Sequence, residues 1–375
     1  MKNKINSIQY LRAIAVLLVV FNHLFFIRDY IGIKREASML NLQGFGAIGV
    51  DIFFVISGFI ITYTASQKKG IEGAIDFAKK RFIRIAPCYY IASSFLVLRI
   101  AISHFFHAAS TADTLNTSTL LKTVTILPVF DKGFFQTPIL LVGWTLSFEL
   151  LFYVIFSLLI LFTLKNRETY LLAIIVLLGL TGTIFPVHQV QLKFITNPII
   201  LEFAFGVLIC IMYRKIKAVS FNINVGILIV SLLMFLALIL FGYGDIRLVY
   251  KITDGDLAPL RVLLWGIPSA FFAASIIFIG KSNPYKIREN RLLLFIGEAS
   301  YSLYLVHEYS FSFLTRVIIY FHLQQMNIIL FIAISIMTAL LSGALFHIII
   351  ERPLIRWLNK IFISKKKHER ILSLH

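Results

Sequence analysis

Two ionisable residues stand in the first apolar run, residues 8–27, which reads IQYLRAIAVLLVVFNHLFFI and carries Arg12 and His23. A charged group near a bilayer centre costs about 2.5 kcal/mol or more, so such residues usually face protein or water and usually work. A helix turns about 100° and rises 1.5 Å per residue, so the eleven steps between them place both side chains within roughly 20° on one face, about 16 Å apart. The imidazole can act as a base or a nucleophile, and the guanidinium can hold an anion.

Further titratable groups fall in later apolar runs. Asp51 lies in GFGAIGVDIFFVISGFII, Glu149 in GWTLSFELLFY, and His307 in EASYSLYLVHEY with Glu308 beside it. Depths counted along the runs bring His23, Asp51, Glu149 and His307 to neighbouring levels, with Trp144 and Ser147 above Glu149. That is a candidate acid–base cluster in a water-excluded site. Each residue also has a plainer use. Intramembrane histidines pack, Asp51 can cap a helix or pair with an arginine, and Arg12 is near enough to an interface to snorkel. In FFVISGF, Ser57 and Gly58 suit close helix packing. Arg99, Glu202, Arg261 and Arg316 lie in or near spans, where they can pair with one another or line an entrance.

These residues need a membrane scaffold to place them. The chain has 375 residues, 59% of them hydrophobic and 14% aromatic, against the 45–50% apolar content typical of soluble domains. Runs of about 20 apolar residues recur, near 8–27, 45–65, 87–107, 139–163, 169–187, 197–213, 223–242, 260–280, 293–318 and 327–350. The expectation is an all-α, polytopic membrane bundle of about ten transmembrane helices. Residues 1–355 form the bundle and 356–375 a basic cytoplasmic tail. Within the long polar connection 108–138, LLKTVTILPVF reads as a short interfacial or re-entrant helix.

The net charge of +18 is concentrated in short segments between apolar runs. That distribution sets topology and gives no basic face for nucleic acid. It puts both termini in the cytoplasm, and an even span count agrees. One basic stretch, DFAKKRFIRIAPCYY, carries Lys79, Lys80, Arg81 and Arg84 and ends an amphipathic segment at Pro87. It suits anionic lipid, and equally a platform for phosphates. Cys88 and Cys210 have no metal or redox spacing and read as buried thiols. The first run lacks a small-residue cleavage site and is read as retained.

Six motifs together resemble the integral-membrane acyltransferase 3 family. In order they are LRAIAVLLVVFNH, GVDIFFVISGFII, FAKKRFIRIAP, WTLSFELLFY, ASYSLYLVH and the terminal ERPL, covering residues 5 to 355. The resemblance implies acyl transfer, most often of acetyl, from cytoplasmic acyl-coenzyme A to a hydroxyl of an envelope glycan or glycolipid. It implies a multi-pass protein of the bacterial inner membrane, with acetyl-coenzyme A or another acyl-coenzyme A as donor and no metal. Arg12 and His23 match the family's essential pair, and Lys79 to Arg84 its basic cytoplasmic motif. On that reading the catalytic set is His23, Arg12, Asp51, Glu149 and His307. Arg12, Lys79, Lys80, Arg81 and Arg84 hold the donor, and Trp144, Ser147, Tyr301 and Ser302 are candidates for the sugar.

A proton-coupled transporter or flippase of a glycan precursor is the alternative, since buried His, Glu, Asp and Arg suit it as well. It lacks two related halves here. A membrane scaffold is a third reading, and it gives the intramembrane histidines nothing to do.

Overall fold

In the computed structural model, the residues described are 5–33, 40–105, 126, 129–131, 134–217, 219–243, 248–282 and 289–363. Long apolar runs fold as helices because a helix satisfies its own backbone groups without water. The main ones are α1 (Asn6–Ile31), α2 (Ile48–Thr64), α3 (Gly70–Phe105), α4 (Gly143–Leu161), α5 (Arg167–Ile184), α6 (Leu201–Lys215), α7 (Phe221–Leu240), α8 (Ile267–Ser282), α9 (Arg291–Tyr320) and α10 (Ile328–Phe346). A π-helical turn, His347–Glu351, links α10 to α11 (Arg352–Phe362).

Among the described residues, eight helices are long and apolar enough to cross a membrane. The two expected spans outside that set are instructive. Helix α2 is apolar but has only 17 residues. Helix α9 has 30 residues but carries Glu298, His307, Glu308 and Arg316. Both supply site residues, so the departures from an ordinary lipid-facing span fall where the chemistry is.

The expected all-α bundle is present, and two local expectations need correction. Beside its helices the bundle carries a short hairpin, in which Val129–Asp131 pairs antiparallel with Phe134–Gln136. Phe135 of this hairpin stacks on Phe194 and packs on Phe148. Most of the expected short helix in LLKTVTILPVF lies outside the described residues, and its end, from Val129, is strand. Pro87 does not separate a surface segment from a span, since α3 runs unbroken through it for 36 residues. Such breaks in the hydrogen-bond ladder are tolerated where neighbouring helices supply partners. Pro353 falls in the first turn of α11, which continues to Phe362. Proline in a first turn loses a hydrogen bond that the turn would not have made. Residues 364–375 of the expected tail lie outside the described residues.

The centre of the bundle is α1, which packs along α9 and α2. A side chain at Gly297 of α9 would run into the backbone of Gln9, so the α1–α9 seam is close. Helix α2 meets α6 in the same way. Gly58 lies against the backbone of Phe203, and Gly206 against those of Val55 and Phe59. The C-terminal carbonyls of α2 are covered by cations from neighbouring helices. Arg167 donates to Ala65 O at 2.9 Å and Arg214 to Thr62 O at 2.8 Å. Basic groups complement the negative end of a helix.

Candidate active site

A cavity of about 490 Å³ opens between α1, α2, α3, α4 and α9. Small-molecule sites are typically about 300–1,000 Å³. One end is basic, with Lys68, Lys80, Arg81 and Arg84 on its wall, and Arg12 stands farther in. The other end is aromatic, formed by Phe53, Phe54 and Tyr304 with Thr145.

The polar groups of the wall are held in place from several helices. Arg12 Nε donates to Ser300 Oγ at 3.1 Å across the α1–α9 seam. Glu149 Oε1 accepts from Ser57 Oγ at 3.1 Å and from Tyr153 Oη at 2.5 Å. Arg81 donates to Thr64 Oγ1 at 2.9 Å and lies over the rings of Phe77 and Tyr153. Tyr301 lines the cavity and donates to Ile85 O at 2.8 Å. Lys80 pairs with Asp76 at 3.1 Å. Arg84, exposed on the wall, has no hydrogen bond or ion pair among the described residues. Five cations and one carboxylate on a single cavity wall favour a polyanion.

Beyond the aromatic end stand two histidines. The rings of His23 and His307 are 4.9 Å apart, edge to face. Tyr304 links this pair to the cavity: it lines the wall, and its ring centroid is 6.3 Å from that of His307. Its hydroxyl is fixed by Val142 O at 3.1 Å and Thr145 Oγ1 at 2.9 Å. Each imidazole is oriented by its own helix. His23 Nδ1 lies 2.9 Å from Val19 O, and His307 Nδ1 lies 3.0 Å from Leu303 O. A carbonyl only accepts, so each Nδ1 carries a proton and each neutral ring keeps its lone pair on Nε2. His307 is fully buried and His23 half-buried.

Comparison with known proteins decides what such a bundle is. A profile of the acyltransferase 3 family, described as an acyltransferase domain, matches residues 5–347. The chain belongs to the acyltransferase 3 family. Exopolysaccharide production protein ExoZ of Rhizobium meliloti is 28% identical over 317 residues, covering 83% of this chain and 90% of ExoZ. Peptidoglycan O-acetyltransferase OatA of Listeria monocytogenes is 30% identical over 192 residues, 48% of this chain and 28% of OatA. Acyltransferase MdmB of Streptomyces mycarofaciens is 29% identical over 164 residues, 41% of this chain and 39% of MdmB. No solved structure gives a significant match. The protein is thus a membrane enzyme of an acyltransferase family, and the transporter and scaffold readings lapse.

Within this family frame, the residues expected to act together divide into groups. Arg12, Glu149, Lys80, Arg81, Arg84 and Tyr301 share the cavity, and His23 and His307 form the pair beyond it. Asp51 does not join them. Its carboxylate forms a bidentate ion pair with Arg261, at 2.9 Å from Nε and 2.7 Å from Nη2, and both side chains are buried. Trp144 packs on Phe54 and Phe148, and Ser147 donates to Ile126 O at 3.1 Å. Ser302 donates to Glu351, which also meets His347 Nδ1 at 2.6 Å. Lys79 is exposed and off the cavity wall. Helical spacing explains the misplacements: residues two apart point to opposite sides, so Ser147 turns away from the face that carries Glu149. Thr145 and Glu149 follow the four-residue spacing that would have marked the cavity face, and Tyr153, one step on, bonds Glu149. Sequence reasoning missed Ser57, Tyr153 and Ser300 as site residues, whereas Tyr304 reads from the sequence, with Tyr301 and Ser302, as a sugar contact or a packing residue.

Proposed function

We propose that this chain moves an acyl group, acetyl in the simplest case, from cytoplasmic acyl-coenzyme A to a hydroxyl of an envelope glycan or glycolipid. The enzyme would sit in a bacterial inner membrane with ten spans over residues 1–355 and both termini in the cytoplasm. The observation that carries this reading is one cavity with phosphate-binding chemistry at one end and an oriented histidine pair beyond the other. The similarity to ExoZ and OatA supports a polysaccharide acceptor.

In this reading the nucleotide of the donor stays with Lys80, Arg81 and Arg84, and its thin pantetheine arm follows the cavity past Arg12 toward Tyr304. The acceptor hydroxyl approaches from the other end of α1. His23 Nε2 takes the hydroxyl proton as the oxygen attacks the thioester carbonyl. The carbon–sulfur bond then breaks, and the leaving thiolate takes that proton from His23 Nε2, which returns the ring to its neutral form. Val19 O holds His23 in the tautomer that makes Nε2 the base, a task that needs no help from Asp51. Proton transfer by a positioned side chain contributes about 10²–10⁴-fold in rate.

The test uses the full chain in proteoliposomes with labelled acetyl-coenzyme A and a glycan acceptor. The expected result is label on the acceptor, and a loss of about 10²-fold or more in His23→Ala with donor binding retained. Undiminished transfer by a folded His23→Ala protein would overturn the role of that ring.

A further inference from the structure

The histidine pair has a third neighbour that the transfer reaction leaves unused. One ligand atom from each of His23, His307 and Glu308 lies within 4.8 Å of the other two. The three side chains come from α1 and α9, helices packed along one another. Because each Nδ1 is committed to a backbone carbonyl, each ring has Nε2 left to offer. His307 is fully buried, and its Nε2 has no hydrogen-bond partner among the described residues. An unsatisfied buried polar atom is costly, and a ligand that accepts its lone pair removes the cost. A ring N–H held by a backbone carbonyl is also how metal-ligating histidines are oriented and made more basic. Two imidazole nitrogens with one carboxylate, leaving a fourth position open, are a donor set for zinc.

We propose that His23, His307 and Glu308 form a binding site for a zinc-class divalent cation, whose occupancy blocks acyl transfer by taking the lone pair of His23. The binding stands on the geometry alone, and the block rests on the proposed role of His23 as base. Ligand bonds of about 2.0–2.2 Å require the three donors to draw together slightly. His23 and Glu308 are only half-buried, which leaves them room to move and leaves the cation a way in. Entry is from the end of α1 opposite the basic cavity, so cation and acyl donor approach from different ends. The site would make the enzyme sensitive to free zinc at the acceptor side without any change in donor binding.

The experiment uses full-length protein in detergent, stripped with a chelator and titrated with Co²⁺ as a spectroscopic probe. We expect one equivalent of Co²⁺ to give the visible absorption of a tetrahedral nitrogen–oxygen site, and Zn²⁺ to displace it. Zn²⁺ should then abolish transfer, and chelator should restore it. Glu308→Gln, which keeps the side chain's shape, should weaken binding by about 10-fold or more, and His307→Ala should remove the spectrum. Retained acyl-coenzyme A binding at the basic end of the cavity checks that each variant is folded. The proposal fails if no saturable spectrum develops, or if Co²⁺ binds the Glu308→Gln and His307→Ala proteins as well as the parent. Transfer that persists with Zn²⁺ bound overturns the block. Transfer absent even in chelator, with the spectrum present, overturns the functional reading and leaves the cation site standing.

Discussion

Asp51 and Ser57 stand six residues apart on α2 and look into different surroundings. Asp51 is met by Arg261 in a bidentate pair from which water is excluded, and Arg261 also donates to Ala47 O at 3.2 Å and lies over Trp265. Glu202, equally buried, lies beside this pair against Gly266. Ser57 instead reaches Glu149 on a cavity wall shared with Arg12, Arg81 and Arg84. The first cluster is closed, with its charge spent on holding α2 to the segment before α8. The second is open, with charge left facing a space that a ligand can enter. Intramembrane charge alone therefore does not mark a site; charge beside a cavity does.

Mutation can break this contrast. Asp51→Asn leaves the Arg261 charge buried without its partner, and breaking such pairs costs about 3–5 kcal/mol. The expected outcome is a low yield of folded protein and a depressed thermal midpoint. Asp51→Leu combined with Arg261→Met should recover much of that loss, as apolar replacements of buried pairs often do. Asp51→Asn that is fully stable yet inactive would move Asp51 back among the catalytic residues.

Arg84→Ala sharpens the other side. A charge-assisted hydrogen bond is worth about 1.5–3 kcal/mol, so the KM for acyl-coenzyme A should rise about tenfold or more while kcat and the thermal midpoint hold. Glu149→Gln keeps an oxygen to accept from Ser57 and Tyr153, and should cost about 0.5–1.5 kcal/mol of stability, well below Asp51→Asn. Ser147→Ala removes one hydrogen bond to Ile126 O and should lower stability by about 1 kcal/mol or less, with acceptor KM unchanged. A raised acceptor KM there would return Ser147 to the substrate path.

Much of this arrangement was legible in the chain. Depth follows from counting residues, and counting brought His23 and His307 to one level, where the rings indeed meet. The basic stretch was equally plain, and Lys80, Arg81 and Arg84 do reach the cavity. Rotation was not legible, because the helix that each face meets is decided by tertiary packing. Asp51 and Glu149 were expected at neighbouring depths, yet Glu149 meets Ser57, six residues and about 9 Å along α2 from Asp51, and the two belong to different clusters. Glu308 was noted beside His307 without a role, although four-residue spacing from Tyr304 places it on the face that meets the aromatic end. The strands at Val129–Asp131 and Phe134–Gln136 had no alternating pattern long enough to announce them.

The brevity of α2 carries a consequence for how far a donor must travel. Seventeen residues span about 26 Å, a few ångströms less than a typical hydrocarbon core. Most of α2 is buried among neighbouring helices, so protein and not lipid surrounds it. The arginine-capped end of α2 forms the rim at Thr64, Ala65 and Lys68, so the mouth of the cavity is framed by polar and basic groups. A water-soluble anion entering there would meet polar protein groups before any apolar wall, a shorter apolar path than the thickness of a bilayer implies.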